Sequence, residues 1–159
     1  MHRINGFSHL AIAVEDLDRS LHFYCDLLGL ELFTRYQYKD FAGPDNAGWE
    51  GGDRERGFAL VHVGPPPPDG RTPFLSITDL PRGDRTTPGF WNWGLHHFGV
   101  WVEDYDEILS RLEGANVPIA APSMASDSFN YAQPTGKAIR TVVVRDPDGN
   151  LVQLDEIVD

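Results

Sequence analysis

The stretch Leu95-His96-His97-Phe98-Gly99-Val100-Trp101-Val102-Glu103-Asp104 repeats, in other letters, Phe7-Ser8-His9-Leu10-Ala11-Ile12-Ala13-Val14-Glu15-Asp16. A shift of 88 residues (97 − 9) lays His97 on His9, Val102 on Val14 and Glu103-Asp104 on Glu15-Asp16. The chain therefore carries two copies of one unit. Within each copy the residues alternate at the strand period of two, so side chains i and i+2 share a face. Leu10, Ile12 and Val14 form one face of the first copy, and Phe98, Val100 and Val102 that of the second. Those apolar faces need something to pack on. The opposite faces, His9 with Ala11 and Ala13 and His97 with Gly99, offer one histidine followed by very small residues. That pattern suits strands lining a cavity with room for an occupant.

The rest of the chain repeats the same order twice. Asp16 caps a helix whose Leu17, Leu21, Tyr24 and Leu28 recur at helical spacing until Gly29 ends it. Strands follow over 30–38, 58–63 and 73–78, the last two joined by a proline-rich turn. Between the first two of these lies a polar, glycine-rich loop over 39–56, of a length that is usually functional or mobile. A connector over 81–93 holds Phe90, Trp91 and Trp93. In the second unit Asp104 caps a helix with Tyr105, Ile108, Leu109 and Leu112 on its inner side, closing near Gly114. A strand begins over 117–120, a polar loop covers 122–136, and a strand over 139–144 leads through Asp146-Pro147-Asp148-Gly149-Asn150 to a last strand over 151–155.

Bulk properties narrow the function. A chain of 159 residues can bury a substantial core as one domain or as two half-sized units. Its single cysteine, Cys25, excludes an internal disulfide and fits a reducing compartment. The first residues lack the apolar run of a signal peptide, and no window approaches the ~18 apolar residues of a membrane span, so a cytoplasmic protein without membrane contact is expected. A formal charge of −11 argues against sequence-independent binding to nucleic acid or anionic lipid. It leaves a small ligand open.

The paired openings, the segment Leu21-His22-Phe23-Tyr24-Cys25-Asp26-Leu27-Leu28-Gly29-Leu30 and the closing Asp146-Pro147-Asp148-Gly149-Asn150-Leu151-Val152-Gln153-Leu154 together resemble the vicinal oxygen chelate superfamily. That group includes glyoxalase I, extradiol dioxygenases and bleomycin-binding proteins. The resemblance covers essentially the whole chain. It implies an α+β fold of two tandem βαβββ modules, over 5–80 and 94–159, forming a curved mixed sheet with a central cup, and a divalent metal (iron, manganese, zinc or nickel) held by side chains of the first and last strands. Carried over by position, the metal sites fall on His9, Ser76, His97 and Gln153. The histidines match, whereas Ser76 and Gln153 stand where glyoxalase I has glutamates. The resemblance thus points to a metal held by His9, His97 and Gln153, and away from glyoxalase I itself.

Other residues take supporting roles in this reading. Ser76, Phe74, Trp101 and Asp155 line the substrate. Asp155, two residues beyond Gln153 on one face, would supply the missing carboxylate if the strand end bulged. Tyr131 and His62 are the candidates for moving protons. His96 points away from His97 and belongs to a rim or core. Of Trp91, Trp93, Trp101, Phe129 and Tyr131, one or two stack on a flat or apolar ligand. The expected activity is dioxygenase, isomerase or lyase chemistry on a small oxygen-chelating substrate. The alternative is a metal-free protein that sequesters a drug or natural product. A homodimer is expected in either case.

Overall fold

The computed structural model describes residues 7–37, 57–68, 70–79, 95–133 and 136–158, apart from the Phe129 side chain. The expected loop over 39–56 and the connector over 81–93, with Phe90, Trp91 and Trp93, lie outside the described residues. The chain divides into two compact units, Met1–Asp84 and Arg85–Asp159.

In the first unit β1 (His9–Val14) is followed by α1 (Leu17–Leu21), then β2 (Glu31–Gln37), β3 (Gly57–His62) and β4 (Phe74–Asp79). The Asp16 side chain accepts the Arg19 N–H at 3.0 Å and starts the helix as its composition predicts. Beyond Leu21 the helix widens into a π-type turn over His22–Leu27, where Leu28 N donates to Phe23 O five residues back at 3.0 Å. Gly29, at φ +81°, then turns the chain into β2. The sheet order is β1-β4-β3-β2, with β1 parallel to β4 and the other pairs antiparallel. Ile12 and Val14 share a face with Leu75, Ile77, Ala59 and Val61. All six are buried, and α1 packs on β3 and β4. His9, Ala11 and Ala13 occupy the other face, with Phe74, Ser76 and Thr78 beside them.

The second unit repeats this order. It runs through β5 (Phe98–Trp101), α2 (Tyr105–Gly114), β6 (Ile119–Asp127), β7 (Ala138–Arg145) and β8 (Leu151–Val158), in sheet order β5-β8-β7-β6. Val100, Val142, Val144, Val152 and Leu154 are buried on the face where α2 packs against β8 through its contacts. Tyr105, Ile108 and Leu112 are the buried side of α2, while Leu109 is only half-buried.

Three expectations are corrected. The opening strand of the second unit is shorter than its sequence pattern, so His97 lies immediately before β5 rather than in it. Most of the expected loop over 122–136 is ordered as the rest of β6 and a single helical turn, Ser128–Tyr131. Its polar composition is that of an edge strand, and the pairing with β7 shifts register on both sides of Ala121, next to Pro122, whose ring removes a backbone donor. Asp104 stands at the N-cap of α2 without a side-chain cap hydrogen bond. Glu156 of β8 substitutes for it by accepting the Tyr105 N–H at 3.4 Å. The same carboxylate receives Arg140 Nε and Nη2 at 2.9 and 2.6 Å, and that guanidinium also reaches Asp106 and lies 4.6 Å above the Tyr105 ring.

Three substitutions test this packing and capping. Ile77→Ala, at a fully buried position of β4, is expected to cost about 2–5 kcal/mol in denaturant unfolding. Asp16→Ala is expected to cost about 1 kcal/mol, through its lost cap, and Asp104→Ala no more than about 0.5 kcal/mol. Equal losses at the two aspartates would contradict the assignment of only one as a working cap.

Candidate functional site

The face of each sheet turned away from its helix holds the residues with chemistry. In the first unit, parallel pairing sets His9 opposite Phe74 and Ala11 opposite Ser76, while β3 sets His62 opposite Phe74 and Leu60 opposite Ser76. The His9 ring stacks on Phe74 with centroids 4.8 Å apart and planes 10° from parallel. His62 tilts against Phe33 at 4.8 Å, and its Nδ1 lies 3.9 Å from Glu31. Phe74 thus has one imidazole on each side, and Ser76 is a buried hydroxyl deeper on the same face.

The corresponding face of the second unit is more polar. Gly99 opposes Gln153, and Trp101 opposes Asp155. On the other side of β8, Val143 opposes Gln153 and Thr141 opposes Asp155. Gln153 Nε2 donates to Asp155 Oδ1 at 2.9 Å and to Tyr131 Oη at 3.2 Å. Tyr131 in turn meets Trp101 with ring centroids 6.1 Å apart. Four of the residues singled out by sequence, Trp101, Tyr131, Gln153 and Asp155, therefore form one cluster. β8 keeps regular register through Asp155, so the bulge that would have turned this carboxylate into the place of Gln153 is absent. Ser76 and Gln153 are register equivalents, each set opposite the residue two beyond the histidine of its unit.

The histidines are prepared in similar ways. His9 Nδ1 lies 3.0 Å from Ser8 Oγ, and His97 Nδ1 lies 2.6 Å from His96 Nδ1. His96 is thus a direct partner of His97, not a bystander on the far side of the strand. In each case the Nδ1 contact orients the ring and leaves Nε2 as the nitrogen able to coordinate an ion. Partial burial lowers the His97 pKa from its ordinary value; His96 pushes it the same way and Asp155 opposes them. A ring held neutral keeps the lone pair that coordination requires. In kind, these imidazoles fit a divalent ion. Gln153 fits less well, because its oxygen, the atom left by an NH₂ group that donates to Asp155 and Tyr131, is neutral and a weaker donor than a carboxylate. Among the described residues no three His, Cys, Asp or Glu side chains converge as a ligand set.

Thr141 was not foreseen. Its hydroxyl is buried without a hydrogen-bond partner in the described structure. The signal was present in the hairpin, since a turn that pairs Arg145 with Leu151 necessarily pairs Thr141 with Asp155.

The sequence pattern of the Glyoxalase/Bleomycin resistance protein/Dioxygenase superfamily matches residues 6–154. The chain belongs to that superfamily. Solved structures of the superfamily share the fold. A glyoxalase family protein from Bacillus cereus aligns over 99% of this chain and 97% of its own, at 21% identity and a TM-score of 0.68. A glyoxalase/dioxygenase from Nostoc punctiforme aligns over 98% and 92%, at 19% identity and 0.61. A fosfomycin resistance protein from Listeria monocytogenes, solved with Mn(II) and a sulfate ion, aligns over 97% and 93%, at 17% identity and 0.59. No protein of curated function matches the sequence significantly. At such identities the likeness is one of fold.

In chelator-treated protein the His97 ring is expected to titrate below the usual histidine range by NMR. His96→Gln should raise its midpoint and Asp155→Asn should lower it further. The lowered value also fixes a sign for stability: the unfolded chain takes up the proton first, so the His97 contribution falls as pH drops below about 6.5. A midpoint at or above the ordinary value would overturn the assignment.

Proposed function

We propose that this superfamily member is a divalent-metal-dependent enzyme of the cytoplasm, acting on a small aromatic or apolar substrate with adjacent oxygens, by dioxygenase, isomerase or lyase chemistry. The observation that carries the reading is the matched preparation of two repeat-related histidines, each held through Nδ1 with Nε2 left to coordinate. The proposed ligands are His9, His97 and Gln153, and the Mn(II) bound by the Listeria relative supports a divalent ion. When bound, such an ion acts as a Lewis acid that stabilises negative charge on substrate oxygen. These three ligands bring no formal charge, which favours a substrate that is itself anionic at its chelating oxygens.

The remaining roles belong to the chain. Trp101 and Phe74 offer apolar surface to a flat substrate, and Ser76 and Asp155 hydrogen-bond its polar groups. Tyr131, through Oη, and His62 are the groups proposed to hold or move a proton at the substrate. Neither Ser76 nor Gln153 can serve as the ligand-borne base that a glutamate would be, which argues against glyoxalase I activity. A homodimer is the proposed assembly.

A second reading is favoured by one observation, the engagement of the Gln153 amide with Asp155 and Tyr131. In it the same surface binds a drug or natural product without metal. Metal analysis separates the two. The enzyme reading expects about one divalent ion per chain after reconstitution with iron, manganese, zinc or nickel, lost in His97→Ala. It also expects Gln153→Glu to tighten Mn(II) binding by at least about tenfold, since a carboxylate is a stronger donor to a hard cation than an amide. No retained metal in the wild type and no gain in Gln153→Glu would leave the binding protein.

A further inference from the structure

Asp155 is a carboxylate at only 6% exposure in the middle of a sheet face. Buried carboxylates in stable proteins are matched by a cation or by several hydrogen bonds. Here Oδ1 accepts one bond, from the neutral Gln153 amide at 2.9 Å. Among the described residues no lysine or arginine pairs with it; Arg140, the nearest cation in sequence on β7, is bound to Glu156 and Asp106 on the helix side.

Three features around this carboxylate converge. Oδ2 lies 3.1 Å from the point where a side chain on Gly99 would begin, so the carboxylate rests against the bare Gly99 backbone, which any larger residue would crowd. Trp101, 52% exposed, stands directly opposite Asp155 in β5, with Tyr131 beside it, and presents aromatic surface next to the acid. Across the strand on the other side, Thr141 is 5% exposed and its buried hydroxyl has no hydrogen-bond partner among the described residues. An acid, a neighbouring hydroxyl and aromatic faces are together the electron-rich surroundings that suit a protonated nitrogen.

We infer that Asp155, with Trp101, Tyr131 and Thr141, forms a subsite for a cationic nitrogen, so that the ligand of this protein carries a protonated amine next to its flat or apolar part. Asp155 Oδ2 takes a charge-assisted N–H bond, and the aromatic rings receive the positive charge at their faces. The chain's net charge of −11 adds attraction at a distance. The inference deepens the proposed function, since it rests on that reading's assignment of this face to the substrate. It does not depend on the metal.

Three probes of one shape test it: 2-phenylethylammonium, 2-phenylethanol and 3-phenylpropionate, titrated at neutral pH into the full chain. The readout is the NMR shift of the Trp101 indole N–H and the Gln153 side-chain amide. The ammonium is expected to bind at least about tenfold more tightly than the alcohol, and the carboxylate most weakly. Asp155→Asn should abolish the preference for the ammonium over the alcohol, with an unchanged pattern of amide NMR signals away from β8 reporting that the fold survives. Trp101→Ala, at an exposed position, should weaken the ammonium several-fold, and added salt should weaken it in the wild type. Equal binding of ammonium and alcohol, a preference for the carboxylate, or a preference that persists in Asp155→Asn overturns the subsite.

The titration is run with and without Zn(II), a diamagnetic ion that leaves the NMR signals readable, to keep the two proposals apart. An ammonium preference in protein that binds no metal sinks the metal reading and keeps the subsite. Metal binding with no ammonium preference does the reverse.

Discussion

The parallel pairing of the first strand of each unit with its last governs where chemistry can occur. A parallel pair needs a crossover, and the helix that provides it must lie on one face of its own sheet, where it meets the buried valines, leucines and isoleucines. The other face is the one the helix leaves uncovered, and it carries the polar cluster. In the second unit the same pairing fixes which residues meet there: Gly99 with Gln153, Trp101 with Asp155. A one-residue slip of β5 against β8 would set Phe98 and Val100 opposite Gln153 and Asp155 and turn Trp101 under the helix. Register, more than the identity of any one side chain, is what assembles the cluster.

The alternation at 9–14 was legible because one face was to be buried and period two is then strongly specified. The repeat at 97–102 extended the reading to a second unit, and the turn at 146–150 fixed the pairing of β7 with β8, and with it the neighbours of Gln153 and Asp155. What escaped was local chemistry that pattern does not carry. The polar stretch after Pro122 reads as loop because an edge strand has little apolar surface to bury, so its composition resembles that of a turn. Asp104 has the composition of a cap, yet a carboxylate from a strand 52 residues later (156 − 104) takes over part of that role. Alternation assigns His96 to the far side of a strand, but the strand begins only at Phe98, and outside it the alternation that separates neighbours no longer holds. The histidines, Gln153 and Asp155 stood out as residue types; that Gln153 would spend its amide on Asp155 and Tyr131 was a matter of geometry.

That amide explains why the sheet tolerates its acid. A glutamate at 153, as in the glyoxalase I pattern, would stand beside Asp155 on one face of one strand, and two close carboxylates without a cation repel each other. Glutamine removes that repulsion and donates a hydrogen bond instead. The negative charge of this face is thereby carried two residues further along β8, opposite Trp101 and Thr141 instead of opposite Gly99. Substituting one residue at 153 thus changes two properties together: it weakens the donor available to a metal, and it moves the acidic point toward an aromatic neighbour. On the proposed reading, a ligand that answers to both would chelate a weakly held metal through its own charged oxygens and carry its positive charge elsewhere, which is a narrower description than either residue gives alone.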